Sequence, residues 1–379
     1  MIHFLCKTVI HGRRTVANSS CVLHITPLLF SSRFISTSSN EQSFTSSYLV
    51  KNLGFSPESA LSASKHVQFE TPDKPDSVVA FFQSQGFSQT QIMKLIEKQP
   101  LVLVSDIEKT LLPKLEFFQS KGVSRPEIAK IVSGYPFVLK RSLEENIIPN
   151  FDFCSNLLES DEKAIDCMKR DVGVLTIDLD VYILPNINLL KEIGVPDSNI
   201  KAVFHQHPRT LVMTPDRFKE AVEKVKNLGF DPLKLNFVQA LSGLRGLSTS
   251  TWERKIDVYK KYGWSEEDTL QAFQRHPWCM TASENKIIGI MDFLVNIMGI
   301  NSAAIARRPS ILTLSLEKRI IPRGLFMQVL LSKSLIKDFR LSAFEASEKK
   351  FLNRYVNTFE ENAAELLKIY QEKLDFSSS

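Results

Sequence analysis

The feature that most constrains this chain is a period. A proline followed by an apolar run recurs as Gln99-Pro100-Leu101-Val102-Leu103, Tyr135-Pro136-Phe137-Val138-Leu139, His207-Pro208-Arg209-Thr210-Leu211, His276-Pro277-Trp278-Cys279-Met280 and Arg308-Pro309-Ser310-Ile311-Leu312. Pro100 to Pro136 is 36 residues and Pro136 to Pro208 is 72, so the missing anchor falls on Val172. One more step reaches Leu244, and the last two steps are 33 and 32 residues. Three positions after each anchor stand Leu103, Leu139, Leu175, Leu211, Leu247, Met280 and Leu312, all large and apolar. A fixed period of this length marks a repeat architecture, in which each unit buries its apolar face against its neighbours.

Each unit reads as two helices and a turn. A glycine turn precedes the anchor at Gly86, Gly122, Gly194 and Gly263, with Gly229 one position off. In Ser88–Gln99 an N-capping serine is followed by Ile92, Leu95 and Ile96 on one helical face. The anchor proline ends that helix, because it pushes the residue before it out of the α region. The Pro-x-x-Leu piece is then a tight turn that buries its leucine, worth about 1.5–3 kcal/mol each. A second helix follows, with Leu111, Leu112, Leu115 and Phe118 on its buried side and Gly122 as its C-terminal cap. A second proline recurs thirteen residues after the anchor, at Pro113, Pro149, Pro185 and Pro322. It is expected to bend the helix or to mark where a tight turn becomes regular helix. The fold class is therefore all-α: an α-solenoid, a left- or right-handed superhelix of about eight repeats of ~36 residues.

The organisation expected is residues 1–40 as an organellar transit peptide, 41–76 as a degenerate N-terminal capping repeat and loop, 77–335 as the helical repeats, and 336–379 as C-terminal capping helices and a frayed tail. Within the first cap, Thr71–Asp76 reads as loop and Ser77–Gln85 as helix; Leu341–Leu374 reads as helical. Residues 1–40 hold Lys7, Arg13, Arg14 and Arg33, seven serines and no acid. That composition fits a transit peptide, with Arg33-Phe34-Ile35-Ser36 resembling a mitochondrial processing site. The mitochondrion is the expected compartment and the chloroplast the alternative. Removing this segment takes the net charge from +5 to +1, so any charged interface must come from where charges sit.

Composition and motifs narrow the function classes. No stretch approaches the ~18 apolar residues of a membrane span; Ile287–Ile300 contains Asp292 and Asn296 and reads as a buried helix. Cys154, Cys167 and Cys279 form no CxxC and read as reduced core residues. There is no GxxxxGK[ST], GxGxxG or HExxH. His205 and His207 have no ligand-type cluster nearby and read as turn-surface histidines. Neither an enzyme nor a cofactor is expected.

The Gly-apolar-Ser turns, the Pro-x-x-Leu anchors, the run Leu112-Pro113-Lys114-Leu115-Glu116-Phe117-Phe118 and the ending Ser347-Glu348-Lys349-Lys350-Phe351-Leu352-Asn353-Arg354-Tyr355-Val356 resemble the mitochondrial transcription termination factor (mTERF) family, in its plant organellar branch. The resemblance covers about residues 45 to 365. It implies a curved superhelix of repeats, each with two α-helices and a short 3₁₀ helix, that binds organellar nucleic acid in its groove. It also implies roles in transcription, termination, intron splicing or RNA maturation. Val172 and Leu244 depart from the anchor pattern.

A solenoid places one repeat position on one face of every unit, and a line of Lys and Arg along such a face meets phosphate. Nine residues after the anchor stand Lys109, Glu145, Val181, Arg217, Glu253, Lys286 and Lys318; two before it stand Lys98, Gly134, Arg170, Gln206, Ser242, Arg275 and Arg307. Each column holds four basic residues in seven, where the overall Lys+Arg share gives fewer than one. Backbone N–H groups at the start of the second helix can hold phosphate as well. Arg254 and Arg319 follow the first column, and Arg209 and Arg245 sit just after anchors. The expected nucleic-acid-binding residues are thus Lys109, Arg209, Arg217, Arg245, Arg254, Arg275, Lys286, Arg307, Lys318 and Arg319. Residues 301–356 carry 11 basic against 4 acidic residues, which fits phosphate contact. The competing reading is a solvated outer face paired with nearby acids. Trp252 and Trp278 read as core before they read as base-stacking residues.

The expected partners are double-stranded DNA or structured RNA of the organelle, with proteins of its expression machinery; the chain is expected to be monomeric and to have no membrane contact. The alternative function is a helical-repeat scaffold for protein partners. Tetratricopeptide arrays have a 34-residue unit with a Trp/Leu-Gly/Tyr pattern that is missing here.

Overall fold

A computed structural model of the chain describes residues 43–376. The expected transit peptide and the last three residues of the expected frayed tail lie outside them. Among the described residues every regular element is helical. The chain divides into two compact units, one ending at Ile107 and the other beginning at Glu108.

The first unit contains helices Phe44–Leu53, Pro57–Ser64, Asp73–Ser84 and Gln89–Lys98, then the 3₁₀ turn Pro100–Val104. Thr71–Asp76 is not all loop: the helix starts at Asp73, with Pro75 in its first turn, where no intrahelical N–H is needed. Asp76 in that turn accepts the Tyr48 hydroxyl at 2.5 Å. Ser88 and Gln91 form a capping box at the start of Gln89–Lys98.

The second unit is a stack of repeats. The first helices of successive repeats pack in series: Asp161–Arg170 on Asp197–Gln206, that on Leu235–Leu244, that on Glu266–Arg275, and that on Ser302–Ala306. Second helices pack likewise, Leu184–Glu192 on Pro215–Asn227 and Thr249–Lys261 on Glu284–Met291. Between these rows run the 3₁₀ turns, Pro136–Lys140 against Val172–Thr176 and Pro277–Met280 against Pro309–Thr313. The leucine column is the seam: Leu139, Leu175, Leu211, Met280 and Leu312 are all buried.

Leu247 is the exception. It is only half-buried, and no 3₁₀ turn forms at Leu244, where helix Leu235–Leu244 runs through the anchor position. Leu244 has an N–H that proline lacks, so the helix extends to the anchor position instead of ending before it. Val172 also lacks proline, yet its turn forms. Asp171 substitutes for it: extended at φ −152°, it accepts the Gly173 N–H at 3.2 Å with its carboxylate and caps the turn. Near Leu244, Gly243 lies so close to the next repeat that a Cβ there would stand 3.4 Å from the Pro277 carbonyl oxygen.

The second prolines stand in the first turn of helices Leu112–Ser120, Ile148–Leu158, Leu184–Glu192 and Ile321–Ser332. Ahead of three of these helices the backbone makes a wide π-turn, Ile107–Leu111, Leu143–Ile147 and Leu316–Ile320, rather than the expected tight one. There the chain adopts the i to i+5 pattern, as in Ile147 N–H to Ser142 O at 3.1 Å. Each repeat turns back through a left-handed residue, which is glycine at Gly122, Gly194, Gly229, Gly263 and Gly299, but Glu159 and Ser334 at two sites.

Buried donors link consecutive repeats in the second unit. Lys114 donates to the Leu139 carbonyl at 2.5 Å and Lys255 to that of Met280 at 2.5 Å. Asn150 donates to Val174 and Ile177, and Asn186 to Leu211 and Met213. Lys114, Asn150, Asn186 and Lys255 all stand 22 residues before the next anchor. They satisfy carbonyls at the end of the following 3₁₀ turn, which the turn itself leaves unpaired. Burial holds the Lys114 and Lys255 ammonium groups below the usual amine range.

After the last repeat the expected long helical segment is broken into Ser342–Glu345, Glu348–Leu352, Asn353–Asn357, Glu360–Asn362 and Ala363–Phe376. The fully buried Arg323 organises it. Its guanidinium donates to the carbonyls of Ala343, Phe344 and Ala346 and to Glu348, and lies 4.4 Å from the Phe351 ring centroid. Phe326, Phe351, Leu366 and Tyr370 close the core beneath it.

Candidate nucleic-acid interface

The second helices start from a column of capping side chains six residues after the anchor, including Ser142, Asp178, Ser283 and Ser315. These caps accept the backbone N–H groups of Glu145, Val181, Lys286 and Lys318. The amides at these four positions of the nine-after column are therefore already engaged, whereas Thr214 makes no side-chain cap ahead of Arg217. Sequence reading missed this column, although an unbroken run of Asp, Ser and Thr six after each full anchor was there to find.

Basic residues gather in three hollows of the second unit. The first, about 310 Å³, is lined by Lys130, Tyr135, Lys169, Arg170, Asp171 and Arg209, among others. Two of its four cations are matched. Arg209 holds Asp171 with two hydrogen bonds, Nε to Oδ2 at 2.6 Å and an Nη to Oδ1 at 3.0 Å, and Lys169 pairs with Glu127 at 2.8 Å. The Lys169 ammonium and Ser124 together hold the Glu127 carboxyl down at about 2. The second hollow, about 440 Å³, brings together Arg217 and Arg245 beside Tyr182 and Thr214. The third, about 580 Å³, brings together Arg275, Arg307, Arg308 and Arg340 with His276 and Glu345.

The expected residues thus fall into groups. Arg217 and Arg245 meet, as do Arg275 and Arg307; Arg209 lies apart in the first hollow. The two basic columns do not share a hollow at these positions: Arg170, Arg275 and Arg307 end first helices, whereas Arg217 lies in a second helix, across the anchor turn. Lys109 and Lys318 are exposed and Arg319 is half-buried. Arg254 is held by Glu284 at 3.0 Å. Lys286 is half-buried, and its ammonium donates to the Thr313 carbonyl at 2.8 Å, so it serves the same repeat-linking role as Lys255. Sequence reading omitted Lys130, Lys169, Arg308 and Arg340 from the site. Arg340 lies beyond the last repeat, where no column could reveal it.

Other groups fall outside this site. Trp252 is buried edge-on to Phe273, and Trp278 packs 4.4 Å from the His207 ring. Burial and the nearby Arg170 push the His207 imidazole below its ordinary range. Cys154, Cys167 and Cys279 are buried free thiols; burial pushes Cys279 up to about 12. Among the described residues no group of three or more His, Cys, Asp or Glu could hold a metal ion, and no helix is long and apolar enough to cross a membrane.

Stacked helix pairs joined by 3₁₀ turns, with arginines from successive repeats lining common hollows, define a helical-repeat protein. The mTERF family model matches residues 79–244 and 174–352, and the chain belongs to the mTERF family. It is 26% identical over 225 residues to "Transcription termination factor MTERF15, mitochondrial" of Arabidopsis thaliana, covering 50% of each chain. It is 21% identical over 148 residues to "Transcription termination factor MTERF8, chloroplastic" of the same plant, covering 39% of this chain and 30% of that one. The chain thus matches no more than half the length of either relative.

Proposed function

We propose that this protein is a nucleic-acid-binding regulator of gene expression in an organelle, acting in transcription termination or regulation or in RNA maturation. Its compartment is the mitochondrion. Its partner is double-stranded DNA or structured RNA, held through phosphate contacts from the hollows of the second unit; its activity is binding, not catalysis. Family membership supports this reading, as do the names of the two relatives, both organellar transcription termination factors. The basic, acid-free segment 1–40 supports the compartment.

The observation that carries the reading is convergence. Arg217 and Arg245 come from different repeats, as do Arg275 and Arg307, yet each pair lines one hollow. Arginines held this way suit bidentate phosphate contact. Lys109, Arg209, Lys318 and Arg319 extend the surface, while Arg254 and Lys286 contribute chiefly through the ion pair and the carbonyl bond they already make.

The test is a salt titration of duplex DNA and hairpin RNA binding. The logarithm of the binding constant should fall linearly with the logarithm of salt, with a slope set by the number of phosphates neutralised. Reversing Arg217, Arg245 and Arg275 together to Glu should weaken binding at least tenfold and flatten that slope. A salt-insensitive affinity would instead favour the protein-binding scaffold. Import into isolated mitochondria and chloroplasts decides the compartment.

A further inference from the structure

The third hollow has the largest excess of positive charge of the three, four arginines against one carboxylate. Four guanidiniums and the His276 imidazole surround about 580 Å³, and Glu345 is the one carboxylate in the lining. Glu345 is already taken: Arg308 Nε and the Ser310 hydroxyl both donate to it. Arg275 is oriented by Gln271 Oε1 at 3.3 Å and the Ala306 carbonyl at 3.5 Å, neither of which cancels its charge. Arg307 and Arg340 have no ion-pair partner among the described residues, and His276 Nε2 is buried without a hydrogen-bond partner. Arg307 and Arg340, with Arg275, whose charge the Asp268 carboxylate offsets only in part, crowd one hollow and repel one another, and a multiply charged anion resolves that repulsion.

We propose that this hollow receives a phosphate monoester at the end of a nucleic-acid strand, an inference that rests on the nucleic-acid reading above. Two arguments favour a strand end over the backbone. A backbone diester carries a single charge, whereas a monoester carries about −1.5 to −2 and three acceptor oxygens, enough for several arginines at once. The site is also singular. Arg275 and Arg307 belong to the repeat pattern, but Arg340 and Glu345 come from the segment after the last repeat. A backbone contact recurs with each repeat along a solenoid; a site completed only at the array's end suits a feature that occurs once per strand end.

The experiment compares one oligonucleotide sequence in three forms, with a 5′-phosphate, with a 3′-phosphate and with hydroxyls at both ends, bound to the full chain at low salt. At least one phosphorylated form is expected to bind roughly tenfold more tightly than the hydroxyl form, and the arm that gains identifies the end recognised. The ratio should fall to about one in Arg340→Gln and, separately, in Arg307→Gln, each checked by thermal melting. Equal affinity for all three forms overturns the inference while leaving the nucleic-acid reading intact. A gain that persists in both folded variants overturns it too, because it would then reflect added charge alone. Failure of every form to bind overturns both.

Discussion

The ammonium of Lys114 donates to the carbonyl of Leu139, 25 residues further along and in the next repeat. Asn186 to Leu211 and Lys255 to Met280 repeat that separation. The donor sits in a second helix and the acceptor ends the next 3₁₀ turn, so each bond ties the two halves of adjacent repeats together.

Asn186 is the cleanest place to test this link, because it is neutral and fully buried, and its amide serves Tyr182, Leu211 and Met213 at 2.8, 2.9 and 2.9 Å. Asn186→Leu keeps similar volume and removes the donor. It should cost about 3 kcal/mol, since unmet buried acceptors cost roughly 1–3 kcal/mol each. Urea denaturation measures it, and a loss under about 0.5 kcal/mol would mean that those carbonyls find other partners.

Asp171 has two separable roles, capping Gly173 and holding Arg209. Asp171→Asn keeps a capping oxygen and loses the ion pair, so stability should change by less than about 1 kcal/mol. Released Arg209 should then tighten nucleic-acid binding a few-fold in a low-salt titration. Asp171→Ala should lose about 1 kcal/mol more than Asn, because the cap goes as well. Equal affinity in Asp171→Asn and the parent would show that Arg209 takes no part in binding.

One substitution should have opposite consequences at the two anchors that lack proline. Val172 already begins a 3₁₀ turn, so Val172→Pro should be tolerated to within about 1 kcal/mol. Leu244 ends an unbroken helix, with Arg245 N–H bonded to the Leu241 carbonyl at 3.1 Å. Leu244→Pro should cost about 3 kcal/mol or more. Thermal melts of the pair suffice, and similar losses at both sites would contradict the assigned helix ends.

Glu127 gives a pH signature. The Lys169 ammonium and the Ser124 hydroxyl and amide stabilise its ionised form and lower its carboxyl from 4.5 to about 2. A carboxyl depressed in the folded state contributes stability that is complete above its unfolded value and lost as pH falls through its folded one. The stability gap between the parent and Glu127→Gln should therefore be constant near neutrality and close between pH 4.5 and about 2. A gap unchanged across that window would mean that the pair with Lys169 does not form in solution.

The repeat was legible because three of its determinants are chemically narrow. Proline at the anchor, a large apolar residue three positions on and glycine at the left-handed turn each have few substitutes, so they persist as a visible period. Where a determinant has substitutes, the pattern alone could not decide. Asp171 rescues the turn at Val172 and nothing rescues it at Leu244. The π-turns were missed because a proline in a helix gives the same sequence signal whether the turn before it is tight or wide. The candidate interface was half legible. Arg217, Arg275 and Arg307 lie on basic columns, and each lines a hollow. Lys286 lies on such a column too, but it reaches a carbonyl instead, because an ammonium on a four-carbon stem can serve phosphate or backbone equally well.

The helix that runs unbroken through Leu244 introduces a phase slip into an otherwise even ruler. Anchors are 36 residues apart up to that point and 33 and 32 after it, while His207 and Trp278 touch across the gap. A strand lying along both sides would meet cationic tips at one interval, then a skipped beat, then a shorter interval. Nuclease footprints on such a strand would come as two blocks rather than one continuous ladder.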